Sequence, residues 1–279
     1  MRMIERLFYE DFERLVNNSI DKLEFALLTS QRLYNKPLYI AFSGGKDSVC
    51  LYGLAKKLAN KLNKPLNEVA TFHYNITNLD PPELVNFVKR EYKEVNLINP
   101  QKSIWDMIAD KSMPPTRLVR YCCENLKEVK VSNVVLITGV RWAESVKRKT
   151  NRGAIEYSIK DNEKRKVLKT DNEDNRREIE NCMQFNQIIV NPIIDWSNED
   201  VWLFIQREKL KYCDLYNKGY KRLGCIGCPM GSTKQREKQF EDNPKYKEQF
   251  IRTFDKMIKN HPQCNWKNGE ECFKWWIQE

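Results

Sequence analysis

Leu38-Tyr39-Ile40-Ala41-Phe42-Ser43-Gly44-Gly45-Lys46-Asp47-Ser48 decides the fold of this chain. The first five residues form an apolar, aromatic-rich run that reads as a buried strand. Val49, Leu51, Tyr52, Leu54, Ala55 and Leu58 then follow at helical spacing. Two glycines at the joint let the backbone turn sharply and approach a ligand with no Cβ in the way. Ser48 is placed to cap the helix, whose first N–H groups point into the turn. A strand–turn–helix joint of this kind is an anion site, and Lys46 with the hydroxyls of Ser43 and Ser48 adds to it. The spacing is not that of a Walker A loop, which needs four residues between its first glycine and Gly-Lys. The competing reading is a glycine turn with no ligand.

Working outward, residues 4 to 35 carry Ile4, Leu7, Phe8, Leu15, Leu23, Leu27 and Leu28 at helical spacing, and predict an amphipathic helical segment over 1–36. Downstream, strands are predicted at Val69 to Tyr74, Val95 to Ile98, Val134 to Thr138 and Ile188 to Val190. Helices are predicted from Pro81-Pro82 through Tyr92 and from a Ser103 cap through Ala109. Alternating strands and helices mean an α/β domain over 37–230, a doubly wound parallel sheet covered on both faces. Ligands in such sheets bind at the carboxyl ends of the strands, where the glycine loop, His73 and Gly139-Val140-Arg141 all fall. Residues 147–186 break the rhythm and read as a polar, charge-dense insert. Ser197 starts another capped helix, and 231–279 is a helical C-terminal region.

The 279 residues carry a formal charge of +10, which favours an anionic partner, nucleotide or nucleic acid. Two runs concentrate it. Lys147 to Lys169 holds nine Lys/Arg against three acids, and Lys218 to Lys238 six against one. The uninterrupted apolar stretch that a membrane span requires is not found, and the N-terminus is unlike a secretory signal, so a cytoplasmic protein with no membrane partner is expected.

Nine cysteines without an export signal point to reduced thiols, metal or redox chemistry. Cys122 and Cys123 are adjacent, and Cys225-Ile226-Gly227-Cys228-Pro229 is a Cys-x-x-Cys. A lone Cys-x-x-Cys is half a zinc site or a redox dithiol. Both elements together offer four thiolates, the number an iron–sulfur cubane needs. Cys182 is read as an ordinary loop cysteine, with replacement of one vicinal cysteine as the alternative. Cys50 falls on an apolar helical position and is expected in the core.

Ser43-Gly44-Gly45-Lys46-Asp47-Ser48 resembles the PP-loop of the ATP pyrophosphatases, which cleave ATP between its α and β phosphates. Gly139-Val140-Arg141-Trp142-Ala143-Glu144-Ser145, Pro192 through Trp202, and Leu215-Tyr216 through Cys225 look like further elements of the phosphoadenylylsulfate (PAPS) reductase family. Tyr121-Cys122-Cys123 with the distant Cys-x-x-Cys resembles the cluster motif of adenylylsulfate reductases, and of Dnd-type DNA phosphorothioation ATPases. The resemblance implies a nucleotide site of Ser43, Gly44, Gly45, Lys46, Asp47, Ser48, His73, Gly139, Arg141 and Glu144. In it Lys46 holds phosphates, Asp47 helps place Mg²⁺ and Arg141 stabilises charge. It also implies a 4Fe–4S cluster on Cys122, Cys123, Cys225 and Cys228. Two departures matter. The loop is intact, which favours ATP over a sulfonucleotide. The C-terminal Glu270-Glu271-Cys272-Phe273-Lys274-Trp275 lacks the Gly and His that follow the reductases' nucleophilic cysteine, so Cys272 reads as part of a docked helix end.

These features lead to an ATP-dependent adenylating sulfurtransferase acting on nucleic acid, DNA or RNA, and fed by a sulfur donor such as a cysteine desulfurase. A thiol-dependent adenylylsulfate or phosphoadenylylsulfate reductase is the first alternative. A nucleotide- or nucleic-acid-binding module with a structural cluster is the second.

Overall fold

A computed structural model describes residues 3–127, 131–159, 162–181 and 185–279. In chain order the elements begin with α1 (Met3–Tyr34), β1 (Leu38–Ala41), α2 (Lys46–Lys61), α3 (Leu66–Val69), β2 (Ala70–Asn75), α4 (Pro82–Glu91) and β3 (Val95–Ile98). Then come α5 (Ile104–Ala109), α6 (Tyr121–Leu126), β4 (Val135–Ile137), α7 (Val146–Asn151), β5 (Ile155–Ile159) and β6 (Asn162–Leu168). The chain continues with α8 (Glu173–Asn181), β7 (Phe185–Val190), α9 (Asn198–Arg207), α10 (Thr233–Asp242), α11 (Pro244–Asn260) and α12 (Gly269–Gln278).

The strands form one sheet in the order β3-β2-β1-β4-β7-β5-β6. β1 pairs in parallel with β2 on one side and β4 on the other, and β4 pairs in parallel with β7. The connections therefore wind outward in both directions from β1 and β4. The loop after β1 opens at this switch point, where a doubly wound sheet leaves a crevice for a ligand. The expected α/β fold is the observed one, with one correction. The insert is not a structureless excursion: β5 and β6 form an antiparallel hairpin, and β5 adds antiparallel to β7. Ile155 and Tyr157 are buried, but so is the charged Glu156 between them, so no simple period-two burial marks the strand.

The chain divides into two compact units. The first comprises residues 1–74, 87–96 and 131–214. Its core holds Leu38, Ile40, Phe42, Leu51, Leu54, Leu58, Phe72, Trp196 and Phe204. Of the α1 face expected from spacing, Leu23 and Leu27 are buried but Leu28 is exposed and Leu15 only half-buried, and Phe12 and Val16 complete the buried stripe instead. On that face Ser19 Oγ donates to Pro192 O (2.9 Å) and receives Trp196 Nε1–H (3.0 Å). Ser197 caps α9 with a capping box to Asp200.

The second unit comprises 75–86, 97–130 and 215–279. An aromatic core of Phe240, Phe250, Phe254, Phe273 and Trp276 joins α10, α11 and α12 to Ile104 and Ile108 of α5 and Tyr121 and Leu126 of α6. Burying an aromatic or large aliphatic side chain of this kind stabilises by about 1.5–3 kcal/mol. Ser103 Oγ accepts from Asp106 N (3.1 Å), the expected cap of α5. Cys272 is buried in this core, as its aromatic neighbours in sequence predict. Among the described residues no helix is long and apolar enough to cross a membrane.

Candidate functional site

In the first unit, the turn from β1 into α2 forms an anion cradle. Gly44 sits at φ +71°, a left-handed conformation that glycine adopts without steric cost. Gly45, not Ser48, is the N-cap of α2, and no side chain caps the helix. Ser48 Oγ instead donates back to Gly45 O (2.8 Å) and receives a bond from Ser43 Oγ (3.4 Å). The first backbone bond of the helix runs from Val49 N to Gly45 O, so the amides of Lys46, Asp47 and Ser48 precede the ladder. An uncapped first turn with its positive dipole end is what a phosphate requires.

A chain of charge backs the loop. Lys46 Nζ contacts both carboxylate oxygens of Asp47 (3.3 and 3.1 Å), and Arg141 Nε donates to Asp47 Oδ1 (2.7 Å). Burial lowers the Lys46 pKa, Asp47 opposes that, and Arg141 adds to it. Arg141 is fully buried, with NH1 on Trp196 O (3.1 Å) and NH2 on Asn198 Oδ1 (2.9 Å). Its donors thus face protein acceptors, and it fixes Asp47. The Asp47 carboxylate, already facing two cations, suits an anchor better than a magnesium ligand. Gly139 lies so close behind Asp47 that a Cβ there would stand 3.2 Å from the Asp47 Cβ and 3.3 Å from its carbonyl carbon.

The remaining expected nucleotide residues are placed differently. His73 lies on the sheet face with its ring stacked on Tyr39 (centroids 3.8 Å apart), its Nε2 2.9 Å from Thr71 Oγ1, and its pKa lowered by burial. Glu144 accepts from the Arg141 backbone N–H (3.2 Å) and pairs with Arg148. It organises the turn after β4. Asn198, which holds Arg141, carries no sequence signal beyond its place in the capped start of α9.

The second unit brings the four predicted cysteines together. Cys122, Cys123, Cys225 and Cys228 line one cavity walled by Leu79, Pro115, Leu126, Phe250 and Trp276, with Thr77 and Lys127 at its polar side. Thr77 Oγ1 lies 3.4 Å from Cys225 Sγ and donates to Asp80 Oδ2 (2.9 Å). A hydrogen bond between the vicinal thiols raises the Cys122 pKa and lowers that of Cys123, with Arg120 helping the second. Burial pushes the Cys225 thiol up, and Lys127 opposes it. The Cys225 thiolate and the Asp80 carboxylate raise the Lys127 pKa, so its ammonium is held more firmly. Lys127 follows Cys123 by one helical turn, a spacing that could have revealed it. Cys182 lies outside the described residues. Cys50 is in the core, donating to Val201 O (3.5 Å).

Among the described residues no group of three or more Cys, His, Asp or Glu is arranged as ligands to a metal ion. The donor set nonetheless fits an iron–sulfur cluster by its chemistry: four soft thiols on one apolar-walled cavity, with cations beside them to offset thiolate charge.

An uncharacterised protein of Methanocaldococcus jannaschii is 31% identical over 237 residues, 79% of this chain and 50% of that protein. A second from the same organism is 27% identical and 43% covered, so the chain spans about half the length of these relatives. An adenosine 5'-phosphosulfate reductase of Bacillus cereus is 23% identical over 74% of this chain and 78% of its own length. The solved phosphoadenylyl-sulfate reductase of Candida auris superposes with a TM-score of 0.44 at 16% identity, over 77% of this chain and 94% of that one. Residues 37–231 match the phosphoadenosine phosphosulfate reductase domain, a segment that includes the anion loop, Arg141 and all four cavity cysteines, and the chain belongs to that family.

Proposed function

We propose that the chain is an ATP-dependent adenylating sulfurtransferase of the PP-loop class. The observation that carries the reading is the intact loop. Its left-handed Gly44, uncapped first-turn amides and buried Lys46 suit the β and γ phosphates that ATP has and adenylylsulfate lacks. An acceptor oxygen attacks the α-phosphorus, the bond to the bridging oxygen breaks, and pyrophosphate leaves with the electron pair. A sulfur nucleophile then displaces AMP from the adenylated acceptor. Lys46 and the loop amides hold the phosphates, and Arg141 keeps Asp47 in place to hold Lys46. Positioning and charge do most of the work in such chemistry. A 4Fe–4S cluster on Cys122, Cys123, Cys225 and Cys228 would supply a soft site for sulfur or electrons. Exposed Lys147 and Lys149 in the first unit, and Lys218, Lys221 and Arg222 in the second, favour a nucleic-acid acceptor. A cysteine desulfurase is a suitable donor.

The second reading, reduction of adenylylsulfate, draws on the names of relatives such as the Bacillus cereus protein. Against it, Cys272, the one cysteine in a position like that of the reductases' nucleophile, is 0% exposed in the aromatic core. An anaerobic ATP–pyrophosphate exchange assay, with and without DNA or RNA, tests the proposal. Exchange supports it; sulfite from adenylylsulfate with no exchange replaces it with the second reading, and nucleotide binding without turnover reduces the chain to a binding module.

A further inference from the structure

Arg236 of α10 is 1% exposed, and among the described residues no carboxylate stands at ion-pairing distance from it. Its NH1 and NH2 donate to Ile277 O (3.0 Å) and Trp276 O (2.7 Å) at the end of α12, and its guanidinium lies 4.4 Å from the centroid of the Trp276 ring. Those partners are neutral. The Nε–H is buried with no acceptor. A buried cation with no carboxylate in direct contact and a buried donor without an acceptor are each expensive, and in a native site each calls for an explanation.

The surroundings supply one. Ser232 caps α10 directly after the Cys-x-x-Cys loop, and one face of that helix holds the loop. Gln239 Oε1 accepts from Gly227 N (2.9 Å), and Gly231 N returns to Cys228 O (2.9 Å). The Arg236 Cγ and the Cys228 carbonyl both lie beside Gly231, 3.6 and 3.2 Å from the point where a Cβ would stand. Trp276, on which the guanidinium stacks, is also a wall of the thiol cavity. Burial draws the Arg236 pKa down to about 10 and Arg117 adds to this, while the Cys228 thiolate and, less strongly, the Glu279 carboxylate oppose it.

We propose that Arg236 is the built-in counter-cation of the thiol centre at Cys228, a positioning residue whose unpartnered Nε–H is reserved for sulfur there. The inference rests on the cluster reading above and adds that the occupied centre carries net negative charge. Arg suits the role better than Lys, because its plane can stack on Trp276 while three separate N–H directions are used at once. Hydrogen bonds to sulfur and nearby charge are among the levers that set a cluster's potential.

The test uses the full chain purified anaerobically as wild type, Arg236→Met and Arg236→Lys, with iron, acid-labile sulfide and the cluster's midpoint potential measured. Loss of a neighbouring cation disfavours the more negative reduced centre. Arg236→Met should therefore shift the midpoint to a more negative value, and Arg236→Lys should shift it less in the same direction. A purely structural brace would lower thermal stability and leave the midpoint unchanged. A cluster-loaded wild type with the same midpoint in both variants overturns the assignment and leaves the cluster reading intact. A wild type with no iron and sulfide overturns both. Where Arg236→Met does not accumulate as folded protein, Arg236→Lys decides, and an unchanged midpoint in that variant overturns the assignment.

Discussion

The anion loop and the thiol cavity are built on opposite principles. The loop is contiguous and polar: six consecutive residues shape it, and its carboxylate, the half-buried Asp47, is matched by Lys46 and Arg141. The cavity is assembled from distant parts of the chain, with residues between Thr77 and Leu79, between Cys122 and Lys127 and between Cys225 and Pro229 joined by Pro115, Phe250 and Trp276, and its walls are apolar. Cations stand beside its thiols, Lys127 near Cys225 and Asp80, and Arg236 near Cys228. A site that receives a mobile anion from water can settle its own charges first. A site meant to keep an anionic group permanently can leave its cations waiting for it. The comparison teaches that the first should tolerate an empty state better than the second.

The largest effect expected is loss of the metal. Wild type should carry about four irons per chain, as a cubane on four thiolates requires, and Cys225→Ser or Cys228→Ser should abolish both iron and colour. Zinc in place of iron in anaerobic protein would break the contrast at its root. Cys182→Ser, compared with Cys122→Ser and Cys123→Ser, decides whether the vicinal pair supplies both remaining ligands.

Next come the loop variants, read by calorimetry with ATP. Gly44→Val forces a branched side chain into a left-handed backbone and should remove measurable binding, while Lys46→Ala should weaken it by about 1.5–3 kcal/mol through a lost charge-assisted contact. Both should keep wild-type iron. Iron loss in either variant would show that the two sites are not independently built. The lowered Lys46 pKa adds a pH signature. Its proton leaves at a lower pH than that of an ordinary lysine, so ATP affinity should decline on the alkaline side, and less steeply in Lys46→Arg.

Arg141→Met leaves Asp47 without its shortest cationic partner and should destabilise the chain by about 3 kcal/mol in urea unfolding, with Arg141→Lys recovering part of the loss. Equal stability of Arg141→Met and wild type would deny Arg141 its anchoring role.

Lys147→Glu with Lys149→Glu should be the mildest change. It should lower affinity for DNA or RNA and flatten its salt dependence, because fewer counterions are released, while ATP binding stays near wild type. Salt-insensitive binding that is equal in both proteins would return these cations to a solvated surface.

The contrast between the sites also explains what could be read in advance. Ser43 to Ser48 was legible because a strand run, two glycines and a helical spacing are all local signals, as are the Ser103 and Ser197 caps. The cysteine set was legible as chemistry, since two pairs of thiols can be matched across a hundred residues without knowing the path between them. Arg236 was not legible. Nothing in Gln235-Arg236-Glu237 distinguishes a buried cation from its exposed neighbours, and what singles it out is the packing of α10 between the cysteine loop and α12. His73 was placed correctly at a strand end, but strand alternation sets its ring on the sheet face beside Tyr39. Ser48 shows the limit of capping rules: its hydroxyl turns back to Gly45 O, and the helix start stays open for a ligand.

The hairpin that closes one side of the sheet has a consequence for the behaviour of the protein in concentrated solution. β6 is the last strand of the sheet, and Arg165 and Lys166 stand exposed on it. A strand of another molecule adding there would have to bring its backbone alongside Arg165 and Lys166 and desolvate them. Such margins resist edge-to-edge association. Without the hairpin the sheet would end at β7, whose Ile188-Ile189-Val190 is the kind of apolar, β-branched run that other strands add to readily.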